Sequence, residues 1–204
     1  MLNIINTQST LAGVILAGGQ ASRMNHTDKG LVLYQGQPLV SYPIATLSAL
    51  TSPTFINANR NLDRYQDFGL PVITDLSPDF SGPLAGILSA MKATTAESLI
   101  VLPCDSPLIK APQVLKLLTH YQKFSADVAI PFDGERLHPV FLVLKTHLKD
   151  SLESYLASGE RKVELWLKAQ PYITVDFSDE AAIFCNINTL TELSALETRY
   201  ADQP

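Results

Sequence analysis

The chain has 204 residues, of which 46% are hydrophobic and 17% charged, and its formal net charge is -5. This composition is typical of a globular protein and excludes a disordered or fibrous chain, and the negative charge argues against a broad nucleic-acid surface. Cys104 and Cys185, the two cysteines, have no zinc-ligand or disulfide-framework spacing, which favours a reducing compartment. The N-terminal residues do not resemble a signal peptide, and no apolar run reaches about 18 residues, so we expect a cytoplasmic protein without membrane partners.

The first half of the chain alternates short apolar runs with segments of helical spacing. Residues 12–17 form a β-branched apolar run that ends in two glycines, a pattern typical of a strand buried on both faces. Pro43 is expected to bend the first helix. The predicted strands cover residues 12–17, 54–58, 70–74 and 99–103, and the predicted helices cover residues 38–50, 82–95 and 114–124. Strands joined by helical crossovers predict a mostly parallel sheet with helices on both faces.

The second half changes order. Two strand-like runs, residues 128–132 and 139–144, are separated only by a short polar segment, which favours an antiparallel pair or an added edge. Further helices are predicted over residues 147–157, 162–169 and 191–200, and further strands over residues 173–177 and 184–188. We therefore expect an α/β fold, a Rossmann-like three-layer sandwich with a mostly parallel sheet and an added smaller lobe. The chain is expected to form one domain over residues 1–204, with one half over about 10–106 and the other over about 107–204.

The loop after the first strand carries two glycines and two cations. Gly18 and Gly19 allow the backbone to approach a phosphate or a base closely, and Arg23 and Lys29 bring positive charge to the same loop. Two glycines alone fit an ordinary tight turn equally well, and the cations favour the phosphate site. Neither G-x-G-x-x-G nor G-x-x-x-x-G-K-[ST] is present, so a dinucleotide oxidoreductase and a P-loop NTPase are not supported.

A second candidate group is Asp105, which follows the predicted strand over residues 99–103. Ligands of parallel sheets bind where strands end, and magnesium binds typically through one or two carboxylates together with phosphate oxygens and water. An aspartate that caps a turn or helix would look the same in the sequence. Both readings of Asp105 remain open at this point.

The motif LAGG-x3-RM-x4-K, combined with PCDSP, resembles the nucleotidyltransferase superfamily and in particular the bacterial molybdenum cofactor guanylyltransferases. The resemblance extends over almost the whole chain through the segments INANRN, GLPVITD, GPLAGILSAM, DGERLHP, SGERKV and NINTLTEL. It departs from the family pattern at Asn25, where glycine is common, and Asn tolerates the left-handed conformation better than most residues. Each segment is weak alone, but together and in this order they are specific.

The resemblance implies roles for individual residues. Leu16, Ala17 and Gly18 would contact guanine and ribose, and Gly19 belongs to the same nucleotide-binding loop. Lys29 would lie near the GTP phosphates. Asn57 and Asp75 would help to hold the nucleoside, and Asp105 would bind both Mg²⁺ and nucleotide. Arg23, Lys29 and Asp105 are the expected catalytic residues.

The second half is expected to bind the acceptor, molybdopterin in its molybdenum-bearing form. Asn186 and Asn188 are two apart, so in an extended segment they project from one face. A turn and a helix cap would explain them as well, whereas the family resemblance suggests a role near the metal or the acceptor. His138 is more simply a packing residue than a ligand contact. Arg161 and Lys162 are the expected cations for the anionic acceptor.

The implied reaction transfers GMP from GTP to the terminal phosphate of the pterin and releases pyrophosphate. Three alternatives remain: a cytidylyltransferase that acts on the same pterin, a sugar-1-phosphate nucleotidyltransferase, and a nucleotide-binding adaptor without catalysis. The cytidylyl relative resembles L-A-A-G where this chain has Gly18, and the smaller residue leaves room for a purine. Among protein partners, the resemblance suggests other proteins of cofactor biosynthesis and molybdoenzyme chaperones.

Overall fold

The computed structural model describes residues 11–18, 28–77 and 82–200. Short loops and turns connect strands and helices in alternation over most of this length. The strands are β1 (Leu11–Leu16), β2 (Leu33–Tyr34), β3 (Gln37–Pro38), β4 (Thr54–Asn57), β5 (Val72–Ile73), β6 (Ser98–Pro103), β7 (Val128–Phe132), β8 (Leu142–Lys145) and β9 (Tyr172–Asp176). The helices are α1 (Ser41–Ser48), α2 (Leu62–Gln66), α3 (Pro83–Ala93), α4 (Ala111–Lys123), α5 (Lys149–Ala157), α6 (Val163–Lys168) and α7 (Leu190–Tyr200).

Seven of the strands in the described residues form one sheet, in the order β5-β4-β1-β6-β8-β7-β9. Neighbouring strands are parallel except β8, which runs antiparallel to both β6 and β7. The expected mostly parallel α/β sheet is thus confirmed, and β7 and β8 form the predicted antiparallel pair. The second half of the chain contributes three strands to the same sheet that the first half begins.

Two apolar layers cover the two faces of this sheet. Alternate residues of β1 point to opposite sides, so Leu11 and Ile15 pack on one face while Ala12 and Val14 pack on the other. Side chains of α1, α2 and α4 fill the first layer, and those of α3, α5 and α6 fill the second. These layers give the three-layer sandwich expected from the sequence. No helix of the described residues is long and apolar enough to cross a bilayer.

A short hairpin that the sequence does not predict precedes α1. Gln35 and Gly36 have φ angles of 48° and 76°, and their turn joins β2 to β3. The predicted helix over residues 38–50 is therefore wrong at its start, because Pro38 pairs with Leu33 in the hairpin and α1 begins at Ser41. Pro43 falls within the first turn, where its missing N–H has no helical partner to lose, so the expected bend is not required.

The predicted strand over residues 184–188 is also wrong. Phe184 ends a three-ten helix, Ser178–Phe184, and residues 185–188 have no regular structure. Phe184 and Ile187 are both buried, in two different apolar clusters. Burial three residues apart does not fit the two-residue alternation of a half-buried strand.

Candidate active site

The candidate site lies at the carboxyl edge of the central strands. Leu16 at the end of β1 is in register with Asn57 at the end of β4 and with Pro103 at the end of β6. The backbone continues this pairing past the strands, since Ala17 N donates to Asn57 O at 2.8 Å and Cys104 N donates to Leu16 O at 3.0 Å. The segments that carry the predicted residues therefore leave the sheet side by side.

Lys29 and Asp105 form an ion pair at this edge. The Lys29 ammonium contacts Asp105 Oδ2 and also donates a hydrogen bond of 2.8 Å to Asn188 Oδ1. Asp105 and Asn188 lie 76 and 159 positions after Lys29 in the chain, yet the fold brings both side chains into contact with it. Both members of the ion pair are largely covered, with 20% and 15% of their side chains exposed. A cation and a carboxylate in such a place can bind a phosphate and a metal ion respectively.

The second oxygen of Asp105 is the feature that fits a metal. Oδ1 is buried and accepts no hydrogen bond, and it is the one such atom among the described residues that are not exposed. A buried carboxylate oxygen without a donor is costly unless a cation or water satisfies it. No group of three or more His, Cys, Asp or Glu that could hold a metal occurs in the described residues. One carboxylate suits Mg²⁺, which takes its other ligands from phosphates and water.

The segment over residues 186–189 is held against the residues that follow β6 by hydrogen bonds. Ile187 N donates to Asp105 O at 3.1 Å, and Ser106 Oγ donates to Asn186 Oδ1 at 2.7 Å. At the start of α7, Glu192 Oε2 accepts from Thr189 N at 2.9 Å, while Glu192 N donates to Thr189 Oγ1 at 3.1 Å. This reciprocal pair is a capping box, which stabilises the helix end and so keeps the preceding residues in position.

An amide and carboxylate network borders the other side of the site. Asn57 Nδ2 donates to Asp75 Oδ1 at 3.0 Å, and Asn59 Nδ2 donates to Asp75 Oδ2 at 2.7 Å. Asp75 N in turn donates to Asn59 Oδ1 at 2.9 Å. The predicted pair Asn57 and Asp75 is therefore in direct contact. Asn59 was missed by the sequence reasoning, although its position two residues after Asn57 places it in the same loop.

Two glycines allow the backbone to approach this network. A Cβ at Gly18 would lie 3.2 Å from Asn59 Nδ2 and 3.4 Å from Asn57 Oδ1. A Cβ at Gly86, on α3, would lie 2.2 Å from Asn57 Oδ1, a distance that real atoms do not reach. Gly86 thus lets α3 pass directly behind the Asn57 side chain. The predicted residues Gly19 and Arg23 lie outside the described residues.

His138 is occupied by structural contacts. Its Nε2 lies 2.6 Å from Asp133 Oδ2, and its ring stacks on Phe184 with centroids 3.8 Å apart. Burial lowers the pKa of His138, and the neighbouring Asp133 partly opposes this effect. The Arg136 backbone N–H, the His138 ring and the Glu135 backbone N–H all bond to Asp133 and lower its pKa. These contacts support the packing interpretation of His138.

Cys104 directly precedes Asp105 in the chain, and its side chain is buried in the first apolar layer. Burial raises the pKa of Cys104, which keeps it a neutral thiol and agrees with its interpretation as a packing residue. Arg161 donates hydrogen bonds to the carbonyl groups of Leu156 and Glu160. The acceptor role of Arg161 and Lys162 stays a prediction.

The fold is shared with solved nucleotidyltransferases. The chain superimposes with a TM-score of 0.79 on molybdopterin-guanine dinucleotide biosynthesis protein A from Archaeoglobus fulgidus, at 23% identity over 94% of this chain and all of that one. It superimposes with a TM-score of 0.76 on a nucleotidyl transferase from Methanothermobacter, at 17% identity over 96% and 99% of the two chains. The family model of the MobA-like NTP transferase domain matches residues 13–172. Together with the site, these matches define the class of the protein, a nucleotidyltransferase.

Relatives of higher identity define the family more narrowly. A molybdenum cofactor guanylyltransferase from Shewanella sediminis is 45% identical over 176 residues, which are 86% of this chain and 90% of the relative. One from Cupriavidus metallidurans is 43% identical over 197 residues, which are 94% and 97% of the two chains. The chain belongs to the MobA-like NTP transferases and, within them, to the molybdenum cofactor guanylyltransferase family.

Proposed function

We propose that the protein transfers GMP from GTP to the molybdenum-bearing molybdopterin cofactor and releases pyrophosphate. The observation that carries this proposal is the convergence of Lys29, Asp105 and Asn188 at the carboxyl edge of the sheet, in a chain that belongs to this family. The geometry offers one cation for phosphate and one carboxylate oxygen without a donor for a metal. A non-catalytic adaptor needs neither group, so this arrangement favours the enzyme.

The residues divide the work of an in-line displacement. The terminal phosphate of the pterin is already a nucleophile, so the reaction requires alignment and charge neutralisation rather than a covalent enzyme intermediate. Asp105 would hold Mg²⁺, which supplies positive charge at the reacting phosphates. Lys29 would move its ammonium from Asp105 towards the β and γ phosphates and stabilise the pyrophosphate as it leaves. Arg23 is proposed to add a second cation to the same loop.

The nucleoside is proposed to bind beside Gly18, Asn57 and Asp75. Leu16 and Ala17 would present backbone groups to guanine and ribose, with Gly19 continuing the loop. The close distances at Gly18 support guanine specificity, since a methyl group there would already crowd Asn57 and Asn59 before any base enters. A site that hydrogen-bonds a base rejects an analogue that lacks the matching groups by about 10⁴-fold.

A nucleotide-selectivity assay tests the proposal. The protein is mixed with pterin acceptor, Mg²⁺ and GTP, CTP or ATP in turn, and pyrophosphate is measured. We expect release with GTP that far exceeds release with CTP and ATP. Equal turnover with CTP would support the cytidylyl alternative, and GTP binding without pyrophosphate in the presence of acceptor would support the adaptor.

The acceptor is proposed to bind over the second half of the chain, next to Asn186 and Asn188. Asn186 bonds to Ser106, which follows Asp105, and Asn188 bonds to Lys29, so the two amides lie beside the residues proposed to bind metal and phosphate. Replacing both with Ala should lower transfer strongly and leave GTP affinity within a few-fold of the parent. A loss of GTP affinity as large as the loss of transfer would assign both amides to the nucleotide site, and the division into nucleotide and acceptor halves would then be withdrawn.

Charge reversal at Arg161 and Lys162 tests the acceptor side independently. We expect it to raise the concentration of pterin required more than that of GTP. A cytoplasmic location, and contacts with other cofactor-biosynthesis proteins and molybdoenzyme chaperones, remain parts of the proposal that family membership suggests.

A further inference from the structure

A buried hydrogen-bonded group lies directly before Lys29. Asp28 is 4% exposed, and its two oxygens accept from different residues of another segment. The Tyr65 hydroxyl donates to Oδ1 at 2.8 Å, and Asn61 Nδ2 donates to Oδ2 at 3.2 Å. Neither the sequence motifs nor the reaction described above assigns a role to Asn61 or Tyr65.

The backbone around Asp28 is also held in place, by a hydrogen bond and by close packing. Leu31 N donates to Asp28 O at 2.9 Å and closes the three-ten turn Lys29–Leu31. Gly30 lies under the phenol of Tyr65, where a Cβ would be 2.6 Å from the hydroxyl oxygen. Because the Asp28 side chain is hydrogen-bonded to Tyr65, and Gly30 packs against Tyr65 and accepts a hydrogen bond from Val40 N, the residue between them has little freedom at its Cα.

The donor in this group does not change state near neutral pH. Burial raises the pKa of Tyr65 far above its usual value, and the neighbouring Asp28 carboxylate adds to the effect. Tyr65 is completely buried on α2, so its hydroxyl has no competing water. The Tyr65 hydroxyl therefore stays protonated at neutral pH and can donate to Asp28.

The same segment also supports the nucleoside side of the site. Residues 57–61 carry Asn57 and Asn59, which bond to Asp75, and then Asn61, which bonds to Asp28. The loop thus touches the nucleoside network at one end and the Lys29 turn at the other. Because the segment is only five residues long, a displacement of Asn57 at one end shifts Asn61 at the other.

We propose that Asn61 and Tyr65 are positioning residues that act through Asp28 to hold Lys29 in register with Asp105, and so set the affinity for the triphosphate of GTP. The inference rests on the proposed function, because it assumes that Lys29 binds the phosphates. Neither residue needs to touch GTP. Their contribution is to reduce the conformations that the Lys29 ammonium must give up when it binds.

A double-mutant cycle on GTP binding tests this role. Tyr65→Phe removes one oxygen and keeps the buried ring, and Lys29→Ala removes the ammonium. Mg-GTP binding is measured by titration calorimetry for the parent, both single variants and the double variant. We expect Tyr65→Phe to weaken GTP binding about tenfold in the parent and less than twofold in Lys29→Ala, since coupled residues in one network interact by roughly 2- to 100-fold.

Tyr121→Phe is the matched control. The Tyr121 hydroxyl is also buried and hydrogen-bonded, to Ser98 Oγ at 2.8 Å, but Ser98 begins β6 at the opposite edge of the sheet. Tyr121→Phe should lower the melting temperature by about as much as Tyr65→Phe does and leave GTP affinity unchanged. Asn61→Gly gives a second route if Tyr65→Phe does not fold, because Asn61 has φ of 50°, which glycine adopts without strain.

Two results would overturn the inference. One is unchanged GTP affinity in folded Tyr65→Phe or Asn61→Gly, and the other is an equal loss with and without Lys29, which would mean a general structural effect. A parent protein that does not bind GTP would refute the proposed function together with the inference. A parent that binds GTP, with variants that bind it equally well, would refute the inference alone.

Discussion

The contact between α3 and Asn57 predicts an unusual effect of Gly86→Ala. Alanine in a helix interior is normally more stable than glycine by about 0.5–1 kcal/mol. At this position the added methyl carbon would lie 2.2 Å from Asn57 Oδ1, 2.7 Å from Asn57 Cγ and 2.9 Å from Leu16 Cδ2. We therefore expect the opposite sign, a loss of stability.

The size of the stability loss depends on how far the Asn57 side chain must move. Asn57 is 3% exposed, and its amide is held by Asp75 Oδ1 and by the Ile73 carbonyl, so it cannot rotate away freely. Overpacking of this kind costs about 1–3 kcal/mol, and a lost hydrogen bond to Asp75 costs about 0.5–1.5 kcal/mol more. After the gain in helix propensity is subtracted, a net loss of about 0.5–4 kcal/mol remains. For a chain of this length the melting temperature should fall by about 2–4 °C per kcal/mol.

Denaturant unfolding and GTP titration together check this prediction. GTP affinity should fall about tenfold, because Asn57 and Asp75 are proposed to hold the nucleoside. Ala90→Gly is the control: Ala90 is fully buried on the same helix, and a helix-interior glycine costs about 1 kcal/mol, but the change removes a methyl group and so cannot crowd Asn57. In an Asn57→Ala background the penalty of Gly86→Ala should shrink. A Gly86→Ala protein as stable as the parent would refute the reasoning.

Three further predictions concern other parts of the site. Asp105→Ala should reduce pyrophosphate release by at least about 10²-fold, with circular dichroism as the check on folding, and full activity at ordinary Mg²⁺ would contradict the metal assignment. Glu192→Ala should lower the free energy of unfolding by about 1 kcal/mol through loss of the capping box, as measured in urea. The lowered pKa of His138 means that protonation opposes folding, so its contribution is complete above its ordinary value of 6.5 and is lost as the pH falls. His138→Gln should therefore flatten the decline of stability below that pH, and an unchanged profile would contradict the buried neutral ring.

The sequence predicts those parts of the site that depend on strand ends. Asp105 follows the apolar run of β6, and Gly18 follows that of β1, so the carboxyl-edge rule for parallel sheets places both before any coordinates are known. The apolar patterns of α3, α4 and β7 are long or continuous, and the sequence predicts these three elements as well. The pairing of β2 with β3 was missed because each strand has two residues, too few for any alternation to be seen.

The parts that could not be predicted depend on contacts between distant segments. Asn59 lies in INANRN without a role implied for it, and neither Asp28 nor Tyr65 is a specified residue of a motif. Their contacts form only when residues 16 to 37 positions apart meet. The sequence predicts a strand for the segment that carries Asn186 and Asn188, because apolar and polar residues alternate there. Its buried residues belong to separate clusters, which local periodicity does not reveal.

The choice of an amide at position 188 follows from the charges around Lys29. Among the described residues, the carboxylate that pairs with the Lys29 ammonium is that of Asp105. A triphosphate brings several negative charges and can therefore draw the ammonium away from Asp105, which leaves the carboxylate for a metal ion. Asn188 accepts a hydrogen bond from Lys29 without adding charge, so it does not compete strongly with phosphate for the ammonium. A second carboxylate at this point would hold Lys29 more firmly, and a transfer site needs the cation to be positioned yet available.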